Sequence, residues 1–477
     1  MSAIAEAGSK VGRPAARDSA PWPVIPLGDV VVSMKNGIYK KREAYADDGV
    51  ACLRMYNIDA GRIAWRDIKR MRLEADELQE YGLQPGDLLV NRVNSRELVG
   101  KTAVIPDGME QAVFKSKNIR VRVDRTKANP RFVSLQLVLG GSAYFAQNAR
   151  QVVGMASISQ PQIARFPIVL PPLDEQRQIV AEIEKQFTRL DAGIAALRRV
   201  QSNLKRYRAA VLKAACEGRL VPAEAELARK EGHTFETGEA LLARILAERR
   251  KNWQRRGKYN EPAAPDTSNL PQLPDGWTWA RLEQLGFTFG GLTKNPKRAK
   301  LPKQLPYLRV ANVYANELRL QEIEHIGVED SELEKLLVRA GDLLIVEGNG
   351  SKTQIGRLAI WDGSIDPCVH QNHIIKVRSV EARMPKWILH WLQSPNGRHF
   401  VELVASSTSG LYTLSVNKVG DLPIALPPLT EQTRIVAEVE RRLSVVEELE
   451  AVVSANLQRA TSLCKSVLQK AFTGEIK

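Results

Sequence analysis

The 477-residue chain carries 69 Lys and Arg against 54 Asp and Glu, a formal net charge of +15, with 44% hydrophobic and 26% charged residues. Such a length allows two to four globular units, and the balance excludes wholesale disorder and fibrous classes. No stretch approaches the roughly 18 to 20 consecutive apolar residues of a membrane span, and residues 1–20 lack the apolar core of a signal peptide, so a cytoplasmic protein is expected. Cys52, Cys216, Cys368 and Cys464 are far apart and form no CxxC pair, which points to buried thiols rather than a disulfide framework or a zinc site. The basic excess favours a polyanionic partner, with nucleic acid as the first candidate.

In chain order, residues 1–21 are rich in Ala, Gly and Ser and are expected to form a disordered tail. A compact α+β domain over residues 22–170 opens with the strand-like run WPVIPLGDVVVSM from Trp22. Gly86-Asp87 reads as a tight turn feeding a buried strand at residues 88–90, further strands are expected at 102–105 and 119–123, and a short helix begins after Pro130. Pro171-Pro172-Leu173 then sets rigid prolines ahead of Asp174, read as the N-cap of a long helix over 171–220. Ile179, Ile183, Leu190, Leu197, Leu204 and Val211 recur along it as a coiled-coil seam, and Gly218 is its natural stop. At 1.5 Å per residue, roughly 42 residues reach about 60 Å.

Residues 221–272 change character. An amphipathic helix at 241–256 ends in Arg249, Arg250, Lys251, Arg255 and Arg256, which suit a solvated face or a DNA or subunit contact, and a Pro-rich linker follows. A second α+β domain over 273–426 opens at Trp277 with WTWARLEQLGFTF, turns at Gly341-Asp342 into a strand at 343–346, places another at 373–377 and starts a helix after Pro385. Residues 427–477 repeat the long helix, with Thr430 as its N-cap, Ile435, Val439, Val446, Val453, Leu457 and Val467 in the seam, and Gly474 as its stop.

The chain is therefore written twice. PPLDEQRQIVAEIE at 171–184 and PPLTEQTRIVAEVE at 427–440 agree at ten of fourteen positions with an offset of 256. The same register joins VLKAACEGRL at 211–220 to VLQKAFTGEI at 467–476. With an offset of 255 it joins LRMYNI at 53–58 to LRVANV at 308–313, and PGDLLV at 85–90 to AGDLLI at 340–345. Fronts diverge and backs repeat closely. Equivalent helices at equal phase favour an antiparallel pair joining the copies over two helices that each pack on their own domain.

Catalytic groups are hard to find. There is no GxxxxGK[ST] phosphate cradle, and Gly348-Asn349-Gly350 lacks the third glycine of a dinucleotide loop. His370 and His373 lie three apart on a strand-like run and would face opposite sides, which argues against a metal site. Asn129-Pro130-Arg131-Phe132 lacks the second proline of an adenine methyltransferase loop and reads as a helix start. Pro106-Asp107 with Glu110 and Lys115 is too loose for a nuclease carboxylate cluster. A non-catalytic protein is expected. Two divergent basic domains held apart by stiff helices suit the reading of two different half-sites, one turn of about 34 Å apart in the major groove, with the base pairs between them unread.

The two-copy layout, the PPLxEQxxIVAExE blocks opening long helices, their ends before Gly218 and Gly474, and the PDTSNLPQLPDGWTWARL linker resemble the specificity (S) subunit of type I restriction-modification systems along nearly the whole chain. The resemblance implies two pseudo-repeated globular target recognition domains, at 22–170 and 273–426, joined by two long antiparallel coiled-coil helices. It implies double-stranded DNA as ligand and two modification subunits as partners, which carry S-adenosylmethionine and methylate adenine N6. Restriction and translocase subunits using ATP and Mg would join them, and the chain itself would hold no cofactor. By type and position, Lys35, Lys40, Lys41, Arg42, Lys294, Lys297, Arg298 and Lys300 are candidates for phosphate oxygens. Arg92, Asn94 and Arg96 in the first copy, and Asn349, Lys352 and Gln354 in the second, follow the buried strands and are candidates for base readout. Ser157, Ser159 and Gln160, matched by Thr413, Ser415 and Val416, lead towards the helices. The rival reading is a protein-binding coiled-coil scaffold, favoured if the positive charge lies away from the two front domains.

Overall fold

The computed structural model describes residues 22–59, 61–152, 154–251, 253, 258–408 and 410–475. The expected tail at 1–21, and Arg255 and Arg256 of the basic run, lie outside them. The chain divides into two compact units, one built from residues up to 199 together with 453–477, the other from 200–452. Each long helix is shared between them, so the compact units do not follow the expected borders at 171 and 427.

The first lobe centres on a four-stranded antiparallel sheet in the order Val31–Asn36, Asn118–Val123, Leu88–Asn91, Thr102–Val104. The second lobe repeats it as Gly286–Phe289, Ile374–Ser379, Leu343–Val346, Leu358–Ile360. The strands Leu88–Asn91 and Leu343–Val346 are fully buried and, Asn91 apart, apolar, which is why they read as short continuous hydrophobic runs. The Gly-Asp turns feed them as expected. Gly86 (φ 86°) and Gly341 (φ 90°) take left-handed backbone. The carboxylate beside each glycine accepts a backbone N–H, from Gln84 to Asp87 and from Arg339 to Asp342, and pairs with an arginine of the neighbouring strand. Those pairs are Arg122 Nε to Asp87 Oδ1 and Arg378 Nε to Asp342 Oδ1, both at 2.8 Å.

The other repeated motifs have equally local causes. Asn57 accepts the Arg54 N–H at 2.9 Å and donates to the carbonyls of Ala64 and Arg66; Asn312 accepts from Arg309 at 2.8 Å and donates to those of Arg319 and Glu322. Asn129 caps the helix Pro130–Gln136 by accepting from Arg131 and Phe132, so Asn-Pro-Arg-Phe is a helix start.

The Pro-Pro-Leu-x-Glu-Gln block is a joint between lobe and helix. In the first unit Trp22 Nε1 donates to Glu175 Oε2 at 2.9 Å, and in the second Trp277 Nε1 donates to Glu431 Oε1 at the same distance. The glutamines close the proline turn, Gln176 Nε2 donating to the Pro171 carbonyl and Gln432 Nε2 to that of Pro427, both at 2.8 Å. Gln176 Oε1 also accepts the Asn129 N–H at 2.7 Å. Replacing Gln176 by Leu strands the buried Pro171 carbonyl and the half-buried Asn129 N–H, and the expected loss is about 2 to 3 kcal/mol, read as a lowered urea midpoint. An unchanged midpoint would show that the joint does not hold the lobe.

The helices run Leu173–Cys216 and Leu429–Phe472, 44 residues each. They begin two residues earlier than N-caps at Asp174 and Thr430 would place them, so those residues stand in the first turn rather than capping it. Both end at left-handed glycines, Gly218 and Gly474. Their packing is antiparallel within each unit. In the first, Ile179, Val180 and Ile183 of one helix pack with Val467, Leu468, Ala471 and Phe472 of the other. In the second, Val211, Leu212, Ala215 and Cys216 share a core with Leu429, Ile435, Val439 and Leu443. Of the seam residues, Leu204, Val446 and Val453 are also buried, while Leu190, Leu197 and Leu457 are half-buried. Arg208 crosses between the helices to Glu447 and Glu450.

The segment between the copies is folded. Helix Gly238–Lys251 buries Leu241 and Ile245 in the second lobe's core. Its basic run is largely spent within the unit: Arg249 stacks 4.2 Å from the Phe287 ring and donates to the Glu283 carbonyl, and Arg250 pairs with Glu261 at 2.6 Å. All four cysteines are free thiols, three of them buried, and burial pushes the Cys52 thiol up to about 11. Among the described residues no helix is long and apolar enough to cross a membrane.

Candidate nucleic-acid interface

The lysine loops follow the same backbone crossing in both lobes. After Val31–Asn36 the chain passes so close to the next strand that a Cβ at Gly37 would collide with the Lys115 carbonyl; at Gly291 it would collide with those of His370 and Gln371. One residue on, Ile38 N donates to the Phe114 carbonyl and Leu292 N to that of His370, both at 2.9 Å. The loops at 38–42 and 292–300 therefore leave from equivalent points.

Within the first lobe this loop lies against the turn at 115–117. Lys115 Nζ donates to the Lys40 carbonyl at 2.9 Å and sits 4.9 Å from the Tyr45 ring and 5.6 Å from that of Tyr39, itself largely exposed. Lys41, Arg42 and Lys117 are exposed and form no ion pair among the described residues. Lys35 is held by Glu80 at 2.5 Å and Lys40 by Glu77 at 2.6 Å. In the second lobe Lys297 and Lys300 are exposed, and Lys294 pairs with Glu324 at 2.7 Å. Arg298 departs from the expectation. Its guanidinium grips both oxygens of Glu332 and the Gly327 carbonyl and is 17% exposed, because it ties its own loop to the sheet edge.

The readout candidates fall on a second small sheet that is also repeated. Val93–Asn94 pairs with Met155–Ser157, which pairs with Arg150–Val152; Gly348–Asn349 pairs with Leu411–Thr413, which pairs with Ser406–Thr408. The structure thus brings Ser157 beside Arg92–Asn94, and Thr413 beside Asn349, although some sixty residues separate them. Gln160 reaches back to Asn36 at 3.4 Å. Ser159 and Ser415 sit at helix N-caps, and Val416 opens the helix Val416–Gly420.

Individual side chains divide by role. Asn94 is buried and committed internally, donating to Asn91 Oδ1 at 2.8 Å and accepting from Ser95 N, so it shapes the loop rather than projecting from it. Asn349 does the same in part by accepting from Ser351 N. Arg96 and Gln354 are exposed; Arg96 touches the Ala146 carbonyl at 3.3 Å, and Lys352 stands 4.0 Å from Glu402. Arg92 is half-buried and its Nε has no partner. Sequence reasoning passed over Lys117 and Glu347 and weighed His373 only as a metal ligand; all three stand at this cluster. Lys117 and His373 hold equivalent places in the fold, their carbonyls accepting from Arg92 N and Glu347 N. Burial raises the Glu347 carboxyl above its ordinary range, with His373 3.6 Å away.

The remaining chemical candidates are absorbed by the fold. His370 is fully buried, its imidazole pushed down to about 3 by burial, with Nδ1 3.0 Å from the Ile374 carbonyl. Glu110 is clasped by Arg70. Among the described residues no three His, Cys, Asp or Glu side chains form a group that suits a metal ion.

Comparison with known proteins agrees with this arrangement. Residues 20–198 match the family model described as the type I restriction modification DNA specificity domain. The chain is 24% identical over 473 residues to the type I restriction enzyme EcoKI specificity subunit of Escherichia coli K12, and 23% identical over 470 residues to the StySPI specificity subunit of Salmonella potsdam; each match covers 95% of this chain and 89% of the relative. A solved chain from work on complex assembly and conformational transition of the type I R-M system shares the fold with a TM-score of 0.60 at 18% identity, covering 95% of this chain and 98% of that one. Over residues 20–198 by family model, and along 95% of the chain by curated relatives, the chain is thus similar to type I restriction-modification specificity subunits.

Proposed function

We propose that the chain is the DNA-recognition subunit of a type I restriction-modification complex. Each lobe reads one half of a bipartite, asymmetric site in the major groove, and the antiparallel helices fix the unread spacer. Two modification subunits, supplying S-adenosylmethionine chemistry at adenine N6, dock on the chain, and restriction subunits join them. The observation that carries this reading is a loop cluster built on the same backbone twice but furnished with different side chains: identical scaffolds with divergent polar surfaces suit two different half-sites. Placement of exposed Lys41, Arg42, Lys117, Lys297 and Lys300 on those clusters favours DNA over a scaffold role.

The test is duplex binding by the full chain with its modification partner across salt concentrations. A sequence-selective complex weakened by salt is expected, and salt-insensitive binding without selectivity would remove the reading. The spacer offers a second test. Four residues inserted into each long helix at matched places, beside Leu197 and beside Val453, add about 6 Å, a turn that a coiled coil accommodates by local unwinding. Mapped methylation sites should then show a spacer longer by about one to two base pairs and unchanged half-sites, at the base-pair rise of roughly 3.4 Å. Altered half-site bases would argue against the helices as a ruler.

A further inference from the structure

The two recognition clusters can be superposed by their hydrogen bonds alone, and at one position the charge inverts. In the first lobe Arg92 N donates to the Lys117 carbonyl at 2.8 Å, and the Arg92 carbonyl accepts from Ile158 N at 2.9 Å. In the second, Glu347 N donates to the His373 carbonyl at 2.9 Å, and the Glu347 carbonyl accepts from Leu414 N at 2.8 Å. Arg92 and Glu347 are thus the same site in the fold. Each follows the last residue of the buried central strand and precedes the strand of the small sheet, Val93–Asn94 or Gly348–Asn349. A difference in backbone cannot account for the difference in side chain.

Their surroundings sharpen the contrast. Arg92 has a cationic neighbour across the turn, Lys117, and its Nε is left without an acceptor. The Glu347 carboxylate is 28% exposed, and its only ion-pair partner among the described residues is His373, 3.6 Å away and 56% exposed. One lobe thus places a guanidinium with no carboxylate partner among the described residues, the other a carboxylate whose one ion-pair partner there is His373. Partial burial raises the Glu347 carboxyl above its ordinary range against the pull of His373, and the exposed part of the carboxylate is open to a donor from outside the chain.

In the major groove these demands are met by opposite base edges. Guanine offers two acceptors, O6 and N7, to an arginine fork, whereas a carboxylate can only accept, and the donors there are the exocyclic amino groups of cytosine N4 and adenine N6. Resting on the DNA-recognition reading, we propose that this shared position is a base-class selector: Arg92 specifies guanine in the first half-site, and Glu347 specifies a base bearing an exocyclic amino group in the second. His373 is a positioning residue that orients the carboxylate.

The experiment is selection of bound duplexes from a randomised pool by the full chain with its modification partner, comparing wild type with E347Q, E347R and R92E. Wild type is expected to select cytosine or adenine at one base pair of the second half-site, and the identity of the selected base distinguishes the two amino groups. E347R should move that one preference to guanine by at least about fivefold, with the first half-site and the spacer unchanged, and R92E should do the converse in the first half-site. E347Q, nearly isosteric, guards against misfolding: its thermal midpoint should stay near wild type while discrimination at that base pair falls by a similar factor. The inference is overturned if E347Q and E347R retain the wild-type base preference at every position while binding stays selective. If wild type itself selects no sequence, the recognition reading fails first and the selector fails with it.

Discussion

Trp387→Ala is expected to cost the second lobe about 3 to 5 kcal/mol, the largest single-residue loss in that unit. The indole is fully buried, stands edge-on to Trp277 with centroids 5.6 Å apart, and donates from Nε1 to the Ala425 carbonyl at 2.9 Å. Its removal leaves a cavity where the helix Pro385–Gln393, the opening strand Thr278–Arg281 and the long helix meet, and it also orphans a buried carbonyl. Neither loss can be repaired by collapse, because Trp391 is pinned to the Pro423 carbonyl by its own indole N–H. A urea titration followed by tryptophan fluorescence is the measurement, and a midpoint within error of wild type would refute the assignment. Trp387→Phe keeps most of the volume and should lose less than half as much.

The equivalent position in the first lobe is Phe132, and the comparison explains how far sequence could go. Phe132 meets Phe472 edge-on at 5.2 Å, so the last turn of the C-terminal helix completes the core of the N-terminal lobe. Periodicity locates both helices, and the Pro-Pro-Leu-x-Glu-Gln blocks locate their starts, because helix phase and turn chemistry are local. It does not say which lobe each helix end serves, since that depends on contacts between residues far apart in the chain, Phe132 with Phe472 or Cys216 with Leu429. Buried strands after Gly-Asp were legible for the same local reason. The interface was legible only as a set of loops. Asn94 and Arg298 have the chemistry of contact residues, but each is drawn inward by a neighbour far along the chain or across a loop, Asn91 with Asn118 behind it and Glu332 respectively. Lys117 and Glu347 escaped notice, and His373 was considered only as a metal ligand, because their nearness to the other loops arises from sheet pairing across a gap that no local pattern records.

Replacing Lys41, Arg42 and Lys117 together by alanine is expected to flatten the salt dependence of DNA binding by close to three phosphate contacts. Each contact contributes about 0.9 to the slope of log affinity against log salt, so the slope should fall by roughly 2.7 and the affinity at physiological salt on the order of a hundredfold. The choice of residues follows from their surroundings. Lys35 and Lys40 already have carboxylate partners in Glu80 and Glu77, and Lys115 has the Lys40 carbonyl and two tyrosine rings, so removing any of these would disturb the loop itself. Lys41, Arg42 and Lys117 have no such ties among the described residues, and their loss should leave thermal stability within about 0.5 kcal/mol of wild type, as is usual for exposed side chains. Because phosphate oxygens carry no sequence information, the half-sites selected by the variant should be those of the wild-type chain. An unchanged slope would place these cations off the DNA, and a changed half-site would mean that at least one of them reads a base. The two outcomes separate because backbone contacts act on every duplex alike, whereas a base contact acts on one position only.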